Sequence, residues 1–209
     1  YRKFGEAFHE LMRDRPTIMI TDDHDVFLSD LWGNGAALIE STRTSGGYPA
    51  HQDWVNAAEF TQTGHLPDPV NPGPHGAGIK SYHTSLEYGG VRFAILEDRK
   101  WKSPPSKVLK KQIIPRGVEL PKKLRNHTGI EVVLDPDFDC SKLDDPKLHL
   151  LGAEQEEFLA DWSNELKESG QIGAVISASP WIHVAMYSAT FADLDSNAWP
   201  QSARNRALR

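Results

Sequence analysis

Three short apolar runs, each handing over to polar side chains, constrain this chain most: Pro16-Thr17-Ile18-Met19-Ile20-Thr21, Val91-Arg92-Phe93-Ala94-Ile95-Leu96-Glu97 and Ile172-Gly173-Ala174-Val175-Ile176-Ser177. Their length and apolar content predict buried strands. Between the second and third runs, Leu151, Phe158, Leu159, Trp162 and Leu166 share one face of a helix over residues 153–168, with Glu154, Glu156 and Glu157 near its positive end and Gly170 as its stop. Strand, helix and strand in succession predict a layered α/β domain. Phe4, Phe8, Leu11 and Met12 predict an amphipathic helix over residues 3–13, and Trp54, Val55, Ala58 and Phe60 predict another over 53–62. Residues 63–78 hold four prolines and four glycines, which predicts a long surface loop able to wall or cover a site.

Composition excludes several classes. The chain has 209 residues, and 29 acidic against 23 basic side chains leave a net charge of −6, which argues against general affinity for nucleic acid or anionic lipid. No apolar run approaches the roughly 18 residues of a membrane span. The lone Cys140 excludes an intrachain disulfide framework and a multi-cysteine zinc site, and leaves the compartment open. The chain opens on Tyr1-Arg2-Lys3-Phe4-Gly5 and closes on an amphipathic Pro-started helix from Trp199 to Arg209, so sequence is expected on both sides.

The chemistry concentrates at the end of the first run. Asp22-Asp23-His24-Asp25 packs three carboxylates and an imidazole into four residues, a like-charge cluster that a cation would neutralise. Carboxylate oxygens suit hard divalent ions and the imidazole suits zinc or iron. The plainer alternative is a helix N-terminus carrying acidic caps. Placement at a strand end is the position where α/β sheets hold ligands. Asp135, Asp137 and Asp139 begin like a calcium loop, but Cys140 and Pro146 occupy the positions that need Gly and Glu, so a polar turn is expected. His51, His65, His75 and His83 lack helical metal-site spacing and read as surface histidines. The basic, proline-punctuated stretch 103–127 reads as a solvated arm, and Asn126-His127-Thr128 is a glycosylation sequon too short to decide anything. No phosphate loop, nucleophile elbow or Cys-x-x-Cys is present.

Residues Pro16 through Gly35, PTIMITDDHDVFLSDLWGNG, resemble the core motif of PhoD-like alkaline phosphatases and phosphodiesterases within the metallophosphoesterases. Tyr88 through Arg99 resembles that family's strand ending in Asp-Arg, and Leu151-Gly152-Ala153-Glu154-Gln155 resembles its Leu-Gly-x-x-Gln helix. Gly46-Gly47-Tyr48-Pro49 through Thr63-Gly64-His65-Leu66-Pro67-Asp68-Pro69 is similar to a subgroup, so the likeness runs along nearly the whole chain.

The resemblance implies an α/β fold, part of a layered α/β/β/α sandwich, with residues 1–209 a single catalytic-domain fragment truncated at both ends. It implies hydrolysis of phosphate mono- or diesters by a metal-activated hydroxide in the full-length parent, with at least two ions, calcium and iron by family likeness. Asp22, Asp23 and Asp30 would be metal ligands. His24 would contact the phosphoryl or leaving group, with Asp25 orienting it. Arg99 would bind substrate, or else pair structurally with Asp98. Asp30 stands where the family has Asn, and the family's earlier metal-binding segment and later Gly-Asp-x-His segment are not in this chain, so the fragment alone is expected to be weak or inactive. The likeness also implies export to the periplasm or exterior. The competing class is a non-catalytic acidic module that binds a metal or a partner.

Overall fold

A computed structural model describes residues 2–26, 31–38, 46–108, 132–133, 140–181, 185–188 and 191–209. Asp30, Asn126 and Asp135 to Asp139 lie outside them, as does most of the basic 103–127 stretch. The fold is mixed α/β. A first sheet has the order β1-β2-β4, from β1 (Thr84–Tyr88), β2 (Val91–Ile95) and β4 (Ile172–Ile176). A second has the order β3-β6-β5, from β3 (Val132–Val133), β6 (Phe191–Asp193) and β5 (Ala185–Ser188). The helices are α1 (Arg2–Asp14), α2 (Gln52–Thr63), α3 (Ala153–Ser169) and α4 (Gln201–Ala207).

β1 and β2 form a hairpin across Gly89 and Gly90, at φ 62° and 78°, where two successive positive φ values match the right-handed twist of the strands. β2 then pairs in parallel with β4, Ala94 opposite Val175 and Arg92 opposite Gly173. α3 lies over this face. Its stop is Gly170 at φ 67°, the left-handed conformation that L side chains avoid. A Cβ on Gly173 would come within 2.8 Å of the Trp162 ring, so the missing side chain is what lets the helix approach the strand.

Leu159 and Trp162 from α3 pack with Ala94, Leu96, Leu150, Leu151 and Ala203. A second cluster gathers Trp32, Leu143, Leu148, Leu194 and Trp199, and a third gathers Leu31, Ala36, Tyr48, Val55 and Ile79. α4 starts where expected, with Asp144 accepting from Ser202 N at 3.0 Å.

Two expectations are corrected, for the first and third apolar runs, and one helix forms as expected. Residues 17–21 are half-buried, with Pro16 exposed, but residues 16–21 join no ladder among the described residues; their apolar side chains find cover without a strand partner. Among the described residues β4 is an edge strand, with Ile172 70% and Val175 50% exposed. α1 forms and stacks Phe4 on Phe8 at 4.8 Å, yet buries no residue. Its stripe marks a helix without marking what covers it.

Candidate active site

The site is built on the polar residues that follow β2. Glu97 N donates to Gln155 Oε1 at 2.9 Å, while Gln155 Nε2 donates to the carbonyls of Glu97 and Leu151 at 2.7 and 2.9 Å. The Leu-Gly-x-x-Gln segment is thereby an amide clamp that fixes the end of the strand to α3. The Glu97 carboxylate accepts from Arg99 N and Lys100 N at 3.2 and 2.8 Å, and turns the chain inward. Glu97, Asp98, Arg99, Lys100 and Lys102 are all buried. Lys100 pairs with Glu59 of α2, and Lys102 Nζ donates to the carbonyls of Asp195 and Ser196.

Arg99 is the hub. Its Nε donates to Asp22 Oδ1 at 2.6 Å, Nη1 to Asp195, and Nη2 to Ser179 Oγ at 2.8 Å. Asp98 Oδ2 accepts from Ser179 N at 2.9 Å and Asn197 Nδ2 at 2.5 Å, whereas its Oδ1 is buried without a partner among the described residues. Ser179 follows β4, so the carboxyl ends of the parallel pair β2 and β4 both feed this point, the crevice position of α/β sheets. Burial opposes the Arg99 charge, but Asp195, Asp22 and Asp98 outweigh it and hold the guanidinium charged, its pKa above the ordinary value. With three donors engaged and a side chain only 4% exposed, Arg99 matches the structural-pairing alternative. Its main partners are Asp22 and Asp195 rather than Asp98 alone.

Asp22 caps a short 3-10 turn, Asp23–Asp25. Its carboxylate accepts from Asp23 N at 2.9 Å, and Asp25 Oδ2 accepts from Asp22 N at 2.9 Å. This reciprocal capping is the acidic-cap alternative realised on one turn, and it gives the Asp25 carboxylate a backbone to hold. The His24 ring faces outward, 70% exposed, with Nε2 3.7 Å from Asp23 Oδ2. Asp23 is buried. Loss of solvation pushes its carboxyl up, Arg99 pulls it down, and Asp195 and Asp22 push it up again. Glu97 is likewise raised to about 7, mainly by burial.

The structure thus brings Asp22, Asp23, His24 and Arg99 together, with Asp25 as cap. Asp195, Ser179 and Asn197 complete the junction and were not expected from the sequence. The run Asp193-Leu194-Asp195-Ser196-Asn197 signals Asp195 and Asn197, and Ser179 lies just past the third apolar run. His83 was expected at the surface and is instead 2% exposed, edge-on to Phe158 at 5.3 Å. His51 caps α2 through Nδ1, and His65 Nε2 meets Thr17 O at 3.1 Å.

The resemblance implies a metal pair held by these carboxylates. Among the described residues no group of three or more His, Cys, Asp or Glu side chains is arranged to hold a metal ion. Asp22 and Asp195 turn oxygens toward Arg99, which leaves Asp23 beside His24. These residues as placed do not make a metal centre.

No protein-family model matches the chain, and no curated protein matches it. A solved structure described as "Structure of PhoD" is similar, at 18% identity and a TM-score of 0.46. The likeness covers 90% of this chain, which spans 30% of that one. No helix among the described residues is long and apolar enough to cross a membrane.

Proposed function

We propose that this chain is part of a metal-dependent phosphoester hydrolase, and that Asp23 and His24 are the part of its site that meets the reaction. The reading is supported above all by one juxtaposition: a buried carboxylate 3.7 Å from an open imidazole, on a turn pinned by Arg99 at the ends of two parallel strands. A buried carboxylate without a bonded cation costs several kcal/mol unless something else neutralises it, and Asp23 shares Arg99 with two other acids. The family resemblance supplies the reaction class. Its further ligands would come from Asp30 and from sequence outside the described residues.

In this reading the chain's own residues position and orient. Arg99 fixes Asp22 and Asp195, and Asp22 fixes the turn. The turn presents His24 to solvent, where an imidazole can contact a phosphoryl oxygen or pass a proton to the leaving oxygen. Asp25 stiffens the turn by accepting from Asp22 N. The saturation of Arg99 by acids favours one second reading, a non-catalytic acidic module.

Hydrolysis of bis-p-nitrophenyl phosphate by the full-length protein that carries this sequence separates the two. Turnover that EDTA abolishes and added calcium or iron restores is the expected result. Metal binding without turnover of either a monoester or a diester would leave the module.

A further inference from the structure

Asn197 is fully buried and joins three segments of the chain. Its Nδ2 donates to Asp98 Oδ2 at 2.5 Å and, over a longer 3.4 Å, to the Ser179 carbonyl, while its backbone N–H donates to the Pro180 carbonyl at 2.9 Å. The Ser179 carbonyl can only accept, so the amide nitrogen faces these partners. Two residues earlier Asp195 meets Arg99, and Lys102 Nζ holds the carbonyls of Asp195 and Ser196.

Donors at this point are shared out selectively. Arg99 gives its side-chain bonds to Asp22, Asp195 and Ser179 Oγ, and none to Asp98 among the described residues. Yet Asp98 is 1% exposed, and Arg99 is the cation that acts most strongly on it. Asp98 takes its bonds instead from Ser179 N and Asn197 Nδ2, both on Oδ2. A buried carboxylate stripped of a donor gains by drawing the nearest cation to itself.

We infer that Asn197 is a positioning residue for the site: it gives Asp98 a neutral donor, which leaves the Arg99 guanidinium on Asp22 and so holds the turn that presents Asp23 and His24. Neutrality suits the place. A cationic side chain would compete with Arg99 for the acids, and an apolar one would leave Asp98 competing for Arg99. Asn197 has no bond to the turn and acts on it through Asp98 and Arg99 in succession. Only the kinetic consequence rests on the hydrolase reading.

Backbone hydrogen exchange in the full-length protein, followed by mass spectrometry, reads the turn directly, because the Asp22 and Asp23 amides are bonded within it. Asn197→Leu keeps the volume and removes the donor. Exchange over residues 22–26 is expected to rise about tenfold, the weight of one hydrogen bond to a charged group, while α3 keeps its protection. Adding Asp98→Asn, which removes the competing charge, is expected to restore most of the protection. Asn197→Ser retains a donor and should fall between wild type and Asn197→Leu, and it tests the same order if the leucine variant does not fold. kcat should follow the exchange, with KM within about twofold. Unchanged exchange at the turn, equal loosening of α3, or a double variant no better than Asn197→Leu would overturn the inference. A wild type without turnover would sink the hydrolase reading and leave the exchange result to decide this one.

Discussion

The sheet face beneath α3 and the junction around Arg99 are both buried, yet opposite forces hold them. Under α3, Leu159, Trp162, Ala94 and Leu96 remove apolar surface from water, a non-directional gain of about 25 cal/mol per Å². Around Arg99, one guanidinium answers Asp22, Asp98 and Asp195, and each partner is needed to offset the desolvation of the others. The first arrangement degrades by degrees when a side chain shrinks. The second fails when its cation is taken away, and its strength follows pH.

Replacing Arg99 is the severest way to break that contrast. Arg99→Met leaves three acids without their common cation and is expected to cost about 3–5 kcal/mol near neutral pH, read by urea unfolding. The loss should shrink as the pH falls and Asp98, whose carboxyl burial raises above the ordinary range, takes up its proton. Leu159→Ala, a cavity beneath α3, is expected to cost about 2–4 kcal/mol with little change over the same range. Parallel pH profiles for the two variants would erase the distinction.

Glu97 sharpens it. Its carboxyl is raised to about 7 from an ordinary 4.5, so the folded chain binds the proton more tightly than the unfolded chain. That contribution to stability is therefore present below about pH 4.5 and is lost as the pH rises toward 7. It amounts to at most about 3 kcal/mol for a shift of this size. Glu97→Gln should flatten the fall in stability across that window; an unchanged slope would place the titration elsewhere.

A smaller effect is expected at Gly173→Ala. The added methyl meets the Leu166 end at 2.2 Å and the Trp162 ring at 2.8 Å, an overpacking worth about 1–3 kcal/mol. The thermal midpoint should fall, and Trp162→Leu in the same chain should relieve part of the loss. Smallest of all is Arg2→Ala, which removes an exposed i,i+4 pair with Glu6 and should shift stability by less than about 0.5 kcal/mol.

The same contrast explains what was legible beforehand. α3 was readable from residue 153 to its Gly170 stop because one local periodicity determines both helix and buried face. β2 and β4 were readable as apolar runs, but not their order, nor the exposure of β4, because a run of side chains does not say which edge stays open. β1 went unread although Thr84, Leu86 and Tyr88 alternate and Gly89-Gly90 marks the turn; Ser85 and Glu87 diluted the run. At the site, Asp22, Asp23 and His24 were visible as adjacent residues. Arg99 was visible only as one residue with two alternative roles. Its partners lie 77, 80 and 96 positions away, and no local pattern carries contacts of that range.

The central claim is that the Arg99 junction exists to present Asp23 and His24 in different roles, and paired variants of the full-length protein test it most directly. kcat and metal stoichiometry would be measured on His24→Ala and Asp23→Ala, each checked for folding. The account predicts that His24→Ala lowers kcat about 10²–10⁴-fold with metal content retained, while Asp23→Ala lowers both. Unchanged turnover in both variants would contradict it.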